Sequence, residues 1–274
     1  MNKLPLSKRT QIVAALVEGN SIRSTCRMTG AAKGTVLKLL VDLGRACEMY
    51  QQEHITGLNS RRIQCDEIWS FCYAKQKNVP LEMKDTEGVG DVWTWTAIDA
   101  DTKLIVSWLV GGRDAGYASE FMEDVAQRLT HRVQLTTDGH KAYLDAVADA
   151  FGCYIDYAML IKLFGEGPNV EKRYSPASCT GIKKVRVSGH PDPEHVSTSY
   201  VERQNLTMRM SMRRFTRLTN AFSKKLENHT AAIALHFMHY NFARVHQTLR
   251  VTPAMEAGLT DHVWGLEEIV GLLG

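Results

Sequence analysis

The sequence predicts a mixed α/β protein, with helices flanking one sheet and a small all-α domain in front of it. Up to about residue 46, apolar residues recur at the spacing of helices. From residue 61 the pattern changes to short runs rich in β-branched and aromatic residues, which are typical of strands. This second part runs strand, two hairpin strands, helix, strand and helix, an order that favours a mixed sheet covered by helices.

The N-terminal part is predicted to contain three short helices. The first starts near Ser7 and ends at Gly19, Ser21 can cap the second, and the third covers Ala31 to about Ala46. Because a glycine-containing turn precedes the third helix, the pattern is that of a helix-turn-helix.

The start of the third helix carries candidate DNA-binding residues. In a helix-turn-helix, the first turns of the last helix face the major groove, where Lys and Thr side chains reach base edges and phosphates. Lys33, Thr35 and Lys38 lie near this start, on the side opposite the apolar stripe. The alternative is a packing module of three helices that has no role in DNA binding.

The remaining elements follow from apolar runs and turn residues. Strands are expected at 61–73, 92–98, 104–110 and 133–137, helices at 118–129 and 143–151, and longer helices at 198–212 and 224–247. Residues 162–198 are rich in Gly and Pro and are predicted to be irregular. We therefore expect a DNA-binding domain at 1–48, a linker at 49–60, an α/β domain at 61–250 and a C-terminal tail at 251–274.

Composition is that of a folded protein in a reducing compartment. The 274 residues are 44% hydrophobic and 23% charged, which allows a sizeable core and excludes disordered and collagen-like classes. The six cysteines form no CxxC pair, which argues against a disulfide framework and a structural zinc site. The first apolar run, 12–17, is too short for a signal peptide or a membrane span, so we expect a cytoplasmic protein with no membrane partner.

The net charge of +3 is unevenly distributed, and two segments are strongly basic. Residues 1–60 contain eight Lys and Arg against four acids, and residues 203–225 contain seven Lys and Arg and no acid. Two such segments indicate two contacts with a polyanion, and a solvated helix face is the alternative for each. The second segment contains the candidate phosphate contacts Arg209, Arg213, Arg214 and Arg217.

Three acids stand where predicted strands or helices would expose them. Asp66 lies in the first strand, Asp138 follows the fourth, and Glu202 lies in the first turns of the late helix. Together they would form an oxygen-only site suited to Mg²⁺ or Mn²⁺, and two such ions can promote phosphoryl transfer. With 30 acids in the chain, spacing alone does not single out these three.

Further polar residues are candidates for supporting roles. His195 lies seven residues before Glu202, Asn205 lies on the same helical face three residues after it, and Arg113 follows two glycines and could contact phosphate. For His195 and Arg113, an incidental surface position is the alternative. Three late histidines have a helical spacing that could suit a metal, although the apolar residues between them favour a packed helix: His236, His239 and His246.

Five motifs occur in the order found in a known family. They are Cys65-Asp66-Glu67-Ile68-Trp69-Ser70, the hairpin 97–103, Thr137-Asp138-Gly139-His140-Lys141-Ala142-Tyr143, Tyr200-Val201-Glu202-Arg203-Gln204-Asn205, and the ending 240–246 with 249–254. Over roughly residues 61–258 they resemble the bacterial DDE transposases of the insertion sequence 1 family. The resemblance implies a ribonuclease H-like catalytic domain in which Asp66, Asp138 and Glu202 bind two Mg²⁺ (or Mn²⁺) ions.

A member of that family cleaves the ends of a DNA element and joins the 3′-hydroxyls to target DNA. The implied partners are double-stranded DNA, as terminal inverted repeats and as target, and further copies of the chain in a homo-oligomer. The implied location is the cytoplasm of a bacterium, at the nucleoid. Members usually carry a cysteine-bearing zinc element, and because this chain has no CxxC pair, recognition of the ends would fall to residues 1–48.

Other functions remain open on the sequence alone. A ribonuclease or Holliday-junction nuclease is the nearest alternative enzyme, and the helix-turn-helix disfavours it. A DNA-binding regulator, or a domesticated protein derived from a transposase, would bind DNA without catalysis. An intact set of three acids distinguishes an enzyme from a regulator, which does not need them.

Overall fold

The computed structural model describes residues 4–165, 178–216 and 220–274. Its helices are α1 Leu6–Val17, α2 Ile22–Thr29, α3 Lys33–His54, α4 Ala115–Arg128, α5 Ala142–Phe151, α6 Ser199–Ser211, α7 Leu226–Met238, α8 Pro253–Glu256 and α9 Leu266–Gly271. Its strands are β1 Arg62–Cys72, β2 Gly90–Asp99, β3 Ile105–Gly111, β4 Gln134–Thr137, β5 Asp156–Gly165 and β6 Ser178–Ser188. Within these ranges, no helix is both long enough and apolar enough to cross a membrane.

The strands form one mixed sheet in the order β3-β2-β1-β4-β5-β6. The first three strands are antiparallel neighbours, whereas β4 pairs in parallel with both β1 and β5, and β6 returns antiparallel to β5. The mixed sheet with flanking helices confirms the predicted fold class, a mixed α/β sheet covered by helices. Because β1, β4 and β5 are parallel, their carboxyl ends lie at the same edge of the sheet.

A packed layer covers each face of the sheet. On one face, α4 and α5 bury Phe121 and Tyr143 against Trp95 of β2. On the other face, α6 and α7 bury Val201 and Phe237 beside β1. Helix α7 contributes to both clusters, and α3 packs against it, so the N-terminal helices share the main core with the sheet.

Helix α3 is longer than predicted. It runs to His54 rather than to about Ala46, so the first six residues of the predicted linker, 49–54, are helical. The reason is tertiary packing: Gln51 is buried and its Nε2 donates to the carbonyl oxygen of Ala234 in α7 (3.2 Å). Gly44 allows this close approach, because a Cβ there would lie 2.5 Å from Ala231. The division into domains stays a prediction.

Two strands extend into the region predicted to be irregular. Strands β5 and β6 account for the described parts of residues 162–198 up to Ser188. Neither strand was predicted because the Gly and Pro residues of this region indicated loops. The sequence signal of β5 was its buried run of four residues, 157–160. The predicted helix over 224–247 also ends early, in a π-helical turn at His239–Ala243.

The C-terminal residues predicted as a tail belong to the core. Helix α9 packs against α1, and Ala254, Ile269 and Val270 are buried. The sequence conceals this packing because α8 and α9 are each too short to show a helical repeat.

Candidate active site

Asp66 lies in β1, and Asp138 directly follows β4, the strand parallel to it. The register of β1 and β4 pairs Gln64 with Thr136, and each acid comes two residues later in its chain. Asp138 therefore follows β4 at the edge where Asp66 lies in β1. The Oδ1 atom of Asp138 accepts a hydrogen bond from the backbone N–H of His140 (2.8 Å), which orients this carboxylate.

Helix α6 is fastened to β1 by two amide side chains. Oε1 of the buried Gln64 accepts hydrogen bonds from the backbone N–H groups of Tyr200 and Val201, which satisfies the start of the helix. One turn further along, Nδ2 of Asn205 donates to Oδ2 of Asp66 (2.8 Å). Glu202 lies between these two anchors, so the helix holds its carboxylate near Asp66.

The electrostatics of Asp66 reflect this crowding. Burial, followed by the negative charges of Glu67 and Asp138 and, more weakly, Glu202, raises the pKa of Asp66 to about 7. A hydrogen bond from the backbone N–H of Glu67 opposes the shift. Within the described residues, Asp66 pairs with no Lys or Arg, so its charge lacks the cation that a half-buried carboxylate needs.

Glu202 has a cation of its own. Its Oε2 atom pairs with Nζ of Lys162 in β5, and its Oε1 atom accepts a hydrogen bond from Oγ1 of Thr198 (2.5 Å). The sequence did not point to Lys162, because it falls in the region predicted to be irregular. Its signal was a lone Lys two residues after the buried run 157–160 of β5.

The donor chemistry of these three acids suits a hard divalent cation, since carboxylate oxygens are the ligands that Mg²⁺ and Mn²⁺ prefer. Among the described residues, however, no group of three or more His, Cys, Asp or Glu side chains is already arranged around an ion position. The ion pair with Lys162 accounts for one ligand, because it directs the Glu202 carboxylate to the ammonium group.

Glu67, next to Asp66 in the chain, is the centre of a buried network. Its side chain is 1% exposed; its Oε1 accepts from Nε of Arg113 (2.7 Å) and its Oε2 from the hydroxyl of Tyr143 (3.1 Å). Burial raises the pKa of Glu67, with the charge of Asp138 as the next cause, and Arg113 lowers it. The predicted phosphate contact Arg113 is therefore paired with Glu67 although its side chain is 38% exposed, and its guanidinium also stacks on Trp93.

The same network supports the loop that carries Asp138. The His140 ring stacks on Trp95, and its Nε2 atom lies 3.7 Å from Oε1 of Glu67. Glu67 therefore contacts the segment that follows β4 through a hydrogen bond from Tyr143, whereas Nε2 of His140 lies near Glu67 without a hydrogen bond. Sequence reasoning placed these residues in motifs without giving them a role.

The other predicted supporting residues divide into two groups. Asn205 contacts Asp66, as described. His195 does not reach the three acids: its Nδ1 atom accepts from Nη1 of Arg62 (2.8 Å), and its Nε2 atom lies 3.7 Å from Asp192. Of the late histidines, His236 is buried in α7, where desolvation lowers its pKa to about 3, as expected for a packed helix.

The predicted DNA-binding residues differ in their solvent exposure and in the partners of their side chains. Lys33 and Arg213 are exposed, Thr35 is half-buried, and Lys38 is exposed but pairs with Asp42 (2.8 Å). Arg209 is half-buried in the last turn of α6, and Arg214 is half-buried with Nη1 donating to Ser223 Oγ (2.7 Å). Arg217 lies outside the described residues.

No protein-family model matches the chain, and no curated protein sequence matches it. Among solved structures, it is similar to a piggyBac transposase synaptic complex with hairpin DNA, at 10% identity and a TM-score of 0.46, covering 98% of this chain and 69% of that one. It is also similar to a Mos1 transposase paired-end complex with the left transposon end, at 11% identity and a TM-score of 0.24, covering 57% of this chain and 60% of that one.

A third similar structure is the Mos1 strand transfer complex, at 10% identity and a TM-score of 0.26, covering 88% of this chain and 78% of that one. At these identities and scores, none of the three decides what this chain does. None is an insertion sequence 1 transposase, so that narrower resemblance stays a prediction.

Proposed function

We propose that this chain is a DDE-type DNA transposase, which cleaves the ends of a DNA element and joins the 3′-hydroxyls to target DNA. The observation that carries the proposal is the placement of three acids. Asp66 lies in β1 and Asp138 directly follows the adjacent parallel strand β4, and Gln64 and Asn205 hold the helix that bears Glu202 against β1.

The three acids would hold two divalent ions, which activate a water or a 3′-hydroxyl and stabilise the leaving oxygen. The protein orients the ligands: Asn205 holds one oxygen of Asp66, and the N–H of His140 holds one oxygen of Asp138. Lys162 balances the charge of Glu202 and places a cation where a DNA phosphate would arrive. The crowded negative charge that raises the pKa of Asp66 also favours the binding of a cation beside it.

The proposed partner is double-stranded DNA, both as element ends and as target, and the chain would act as a homo-oligomer because two ends must be cut and joined together. Lys33 and Thr35 at the start of α3 would contact the element ends. Assignment to the insertion sequence 1 family is the most specific part of the proposal, and it rests on the five sequence motifs alone.

The experiment that tests the proposal is cleavage and strand transfer on duplexes taken from the DNA that flanks the gene, with Mg²⁺ or Mn²⁺. The wild-type protein should nick the duplex and join its 3′-hydroxyl to a second DNA. Asp138→Asn, which keeps the shape and removes the charge, should bind DNA normally and cleave none. The control is Asp149→Asn, an exposed acid of α5, which should cleave as the wild type does.

One observation favours a second candidate, a DNA-binding protein without catalysis. Glu202 is paired with Lys162, and no described group of acids is prearranged for a metal. The same assay separates the two: DNA binding without any metal-dependent cleavage by the wild-type protein supports the second candidate and rejects the first.

A further inference from the structure

A groove of about 1100 Å³ runs between the N-terminal helices and the segment that follows α6. Both basic segments of the sequence contribute to it. Arg23, Arg27 and Lys33 lie along one wall, which we call the helical wall. Arg213, Lys224 and Lys225 lie along the other, the far wall, and among the described residues no acid lines the groove.

The two walls are fixed relative to each other at the base of the groove. Gly19, in the turn between α1 and α2, has a φ of +78° and lies so close to Ser211 that a Cβ would be 2.8 Å from its carbonyl oxygen. Leu235 and His236 of α7 also line the groove and belong to the packed interior. The cations therefore face one another across a preformed space.

These cations lack internal counter-ions. All six wall residues are exposed, and none forms an ion pair with an acid in the described ranges. Their neighbours outside the groove behave differently, since Lys38 pairs with Asp42 and Arg45 pairs with Glu227. Like charges gathered without partners create a positive potential that attracts an anion.

Arg214 adds a site between the walls. It lines the groove, and its Nη1 atom donates to Oγ of Ser223, which is in turn 2.8 Å from Nδ1 of His229. Burial lowers the pKa of Arg214 to about 10, and within the described residues no carboxylate pairs with it. A guanidinium held by neutral partners keeps donors for a phosphate, which it can bind through two parallel hydrogen bonds.

We propose that this groove binds the phosphate backbone of duplex DNA as a single contact, with both walls acting on the same stretch of DNA. Cations spread along two walls suit a chain of regularly spaced phosphates better than one small anion. The sequence alone indicated two separate contacts. The inference rests on the DNA partner of the proposed function but not on its chemistry, so it holds for a protein that binds without cleaving.

The test uses three double variants of the full chain. Arg23→Gln with Arg27→Gln removes charge from the helical wall, and Lys224→Gln with Lys225→Gln removes it from the far wall. Lys77→Gln with Lys84→Gln is the matched control, because both lysines are exposed and neither lines the groove. Fluorescence anisotropy measures binding to duplexes of decreasing length over a salt series, in EDTA so that no cleavage occurs.

Each wall variant should lower the salt slope by about 2, close to 0.9 per lost phosphate contact, and weaken binding roughly 10- to 100-fold at about 0.1 M salt. Both losses should persist on the shortest duplex that still binds, about 10 base pairs, and on a scrambled sequence. Arg214→Gln, checked for folding by circular dichroism, should weaken binding in the same manner. The control should match the wild type.

The proposal is overturned if the shortest duplex depends on only one wall, because the contacts are then separate, or if the control loses as much as the wall variants. Asp138→Asn should bind as the wild type does in this assay. If the wild-type protein binds DNA through the groove but does not cleave it, only the proposed catalytic function is rejected. If the two wall variants bind and cleave DNA as the wild type does, only the proposed groove contact is rejected.

Discussion

Asp66 and Glu67 are consecutive residues of β1 and therefore point to opposite faces of the sheet. On the face of α4 and α5, Glu67 is buried with Arg113 and Tyr143 as partners. On the face of α6, the one side-chain partner of Asp66 in the described ranges is the neutral amide of Asn205, and three other carboxylates lie nearby. The difference shows that the fold can pair a buried acid in this strand, and that at Asp66 it does not.

That contrast suggests different roles for the acids on the two faces of the sheet. A carboxylate that is paired and hydrogen-bonded inside the protein supports structure, whereas one that lacks a cation is free to bind a cation from outside. On this basis we propose that Asp66 is a ligand and that Glu67 is a positioning residue, which contacts the segment after Asp138 through the hydroxyl of Tyr143.

The largest expected effect is on cleavage. Asp66→Asn should lower metal-dependent cleavage by roughly 10³-fold or more, because the three acids act as a unit. Glu67→Gln should lower it by only about 10-fold, since the ligands remain and only the support of Asp138 is weakened. Single-turnover rates on one duplex would measure both. Equal losses in the two variants would remove the distinction between the faces.

The next effect is on stability, where the substitution of Glu67 is the one expected to cost more. Glu67→Gln breaks the ion pair with Arg113 inside the protein and should lower the free energy of unfolding by roughly 1–3 kcal/mol, less than for a fully buried pair because Arg113 is 38% exposed. Urea unfolding of this variant beside Glu123→Gln, an exposed acid of α4, measures the effect. A Glu67→Gln protein as stable as the control would contradict the structural role.

Lys162 offers a smaller test on the Asp66 face. Lys162→Met removes the ammonium group that competes with an ion for Glu202, and should tighten Mn²⁺ binding by about twofold to fivefold, the worth of a half-exposed ion pair. Isothermal titration with Mn²⁺ gives the affinity, and Lys183→Met, an exposed residue of β6, serves as the control. Weaker binding in Lys162→Met would mean that Lys162 supports Glu202 rather than competing for it.

The smallest effect is a pH dependence of stability without metal. The folded protein holds the Asp66 proton up to a pKa of about 7, above the ordinary 3.8, so the acid favours folding at low pH and this contribution is lost as the pH rises through that window. Asp66→Asn should therefore raise the Tm by about 2–5 °C near pH 8 and make little difference near pH 4. Melting curves in EDTA that coincide near pH 8 would show that Asp66 is not destabilised by its neighbours.

The sequence predicts the outline of this site better than its details. Asp66, Asp138 and Glu202 were candidates because of their places in or beside predicted strands and a helix, and because five ordered motifs resemble those of a known family. The order of the strands in the sheet was not predicted. Glu67 could not be distinguished from Asp66, since its partner Arg113 is 46 residues away and only the register of β2 and β3 brings it near.

Other features depend on packing that no local pattern reports. Lys162 lies in a strand that neighbouring Gly and Pro residues concealed, and helix α3 extends past its predicted end because Gln51 is buried against α7. The basic groove joins segments that are far apart in sequence, so each segment alone predicted a contact of its own. The sequence identified candidate residues by their type and position, whereas the contacts that these residues make were visible only in the folded structure.

The most direct test of the central claim is Mn²⁺ binding by the wild-type protein, Asp66→Asn and Glu67→Gln, each confirmed to be folded and titrated by calorimetry. We predict that the wild type binds, that Glu67→Gln binds within about fivefold of it, and that Asp66→Asn loses at least roughly tenfold in affinity. The claim would be contradicted if Asp66→Asn bound Mn²⁺ as the wild type does, or if both variants lost the same affinity.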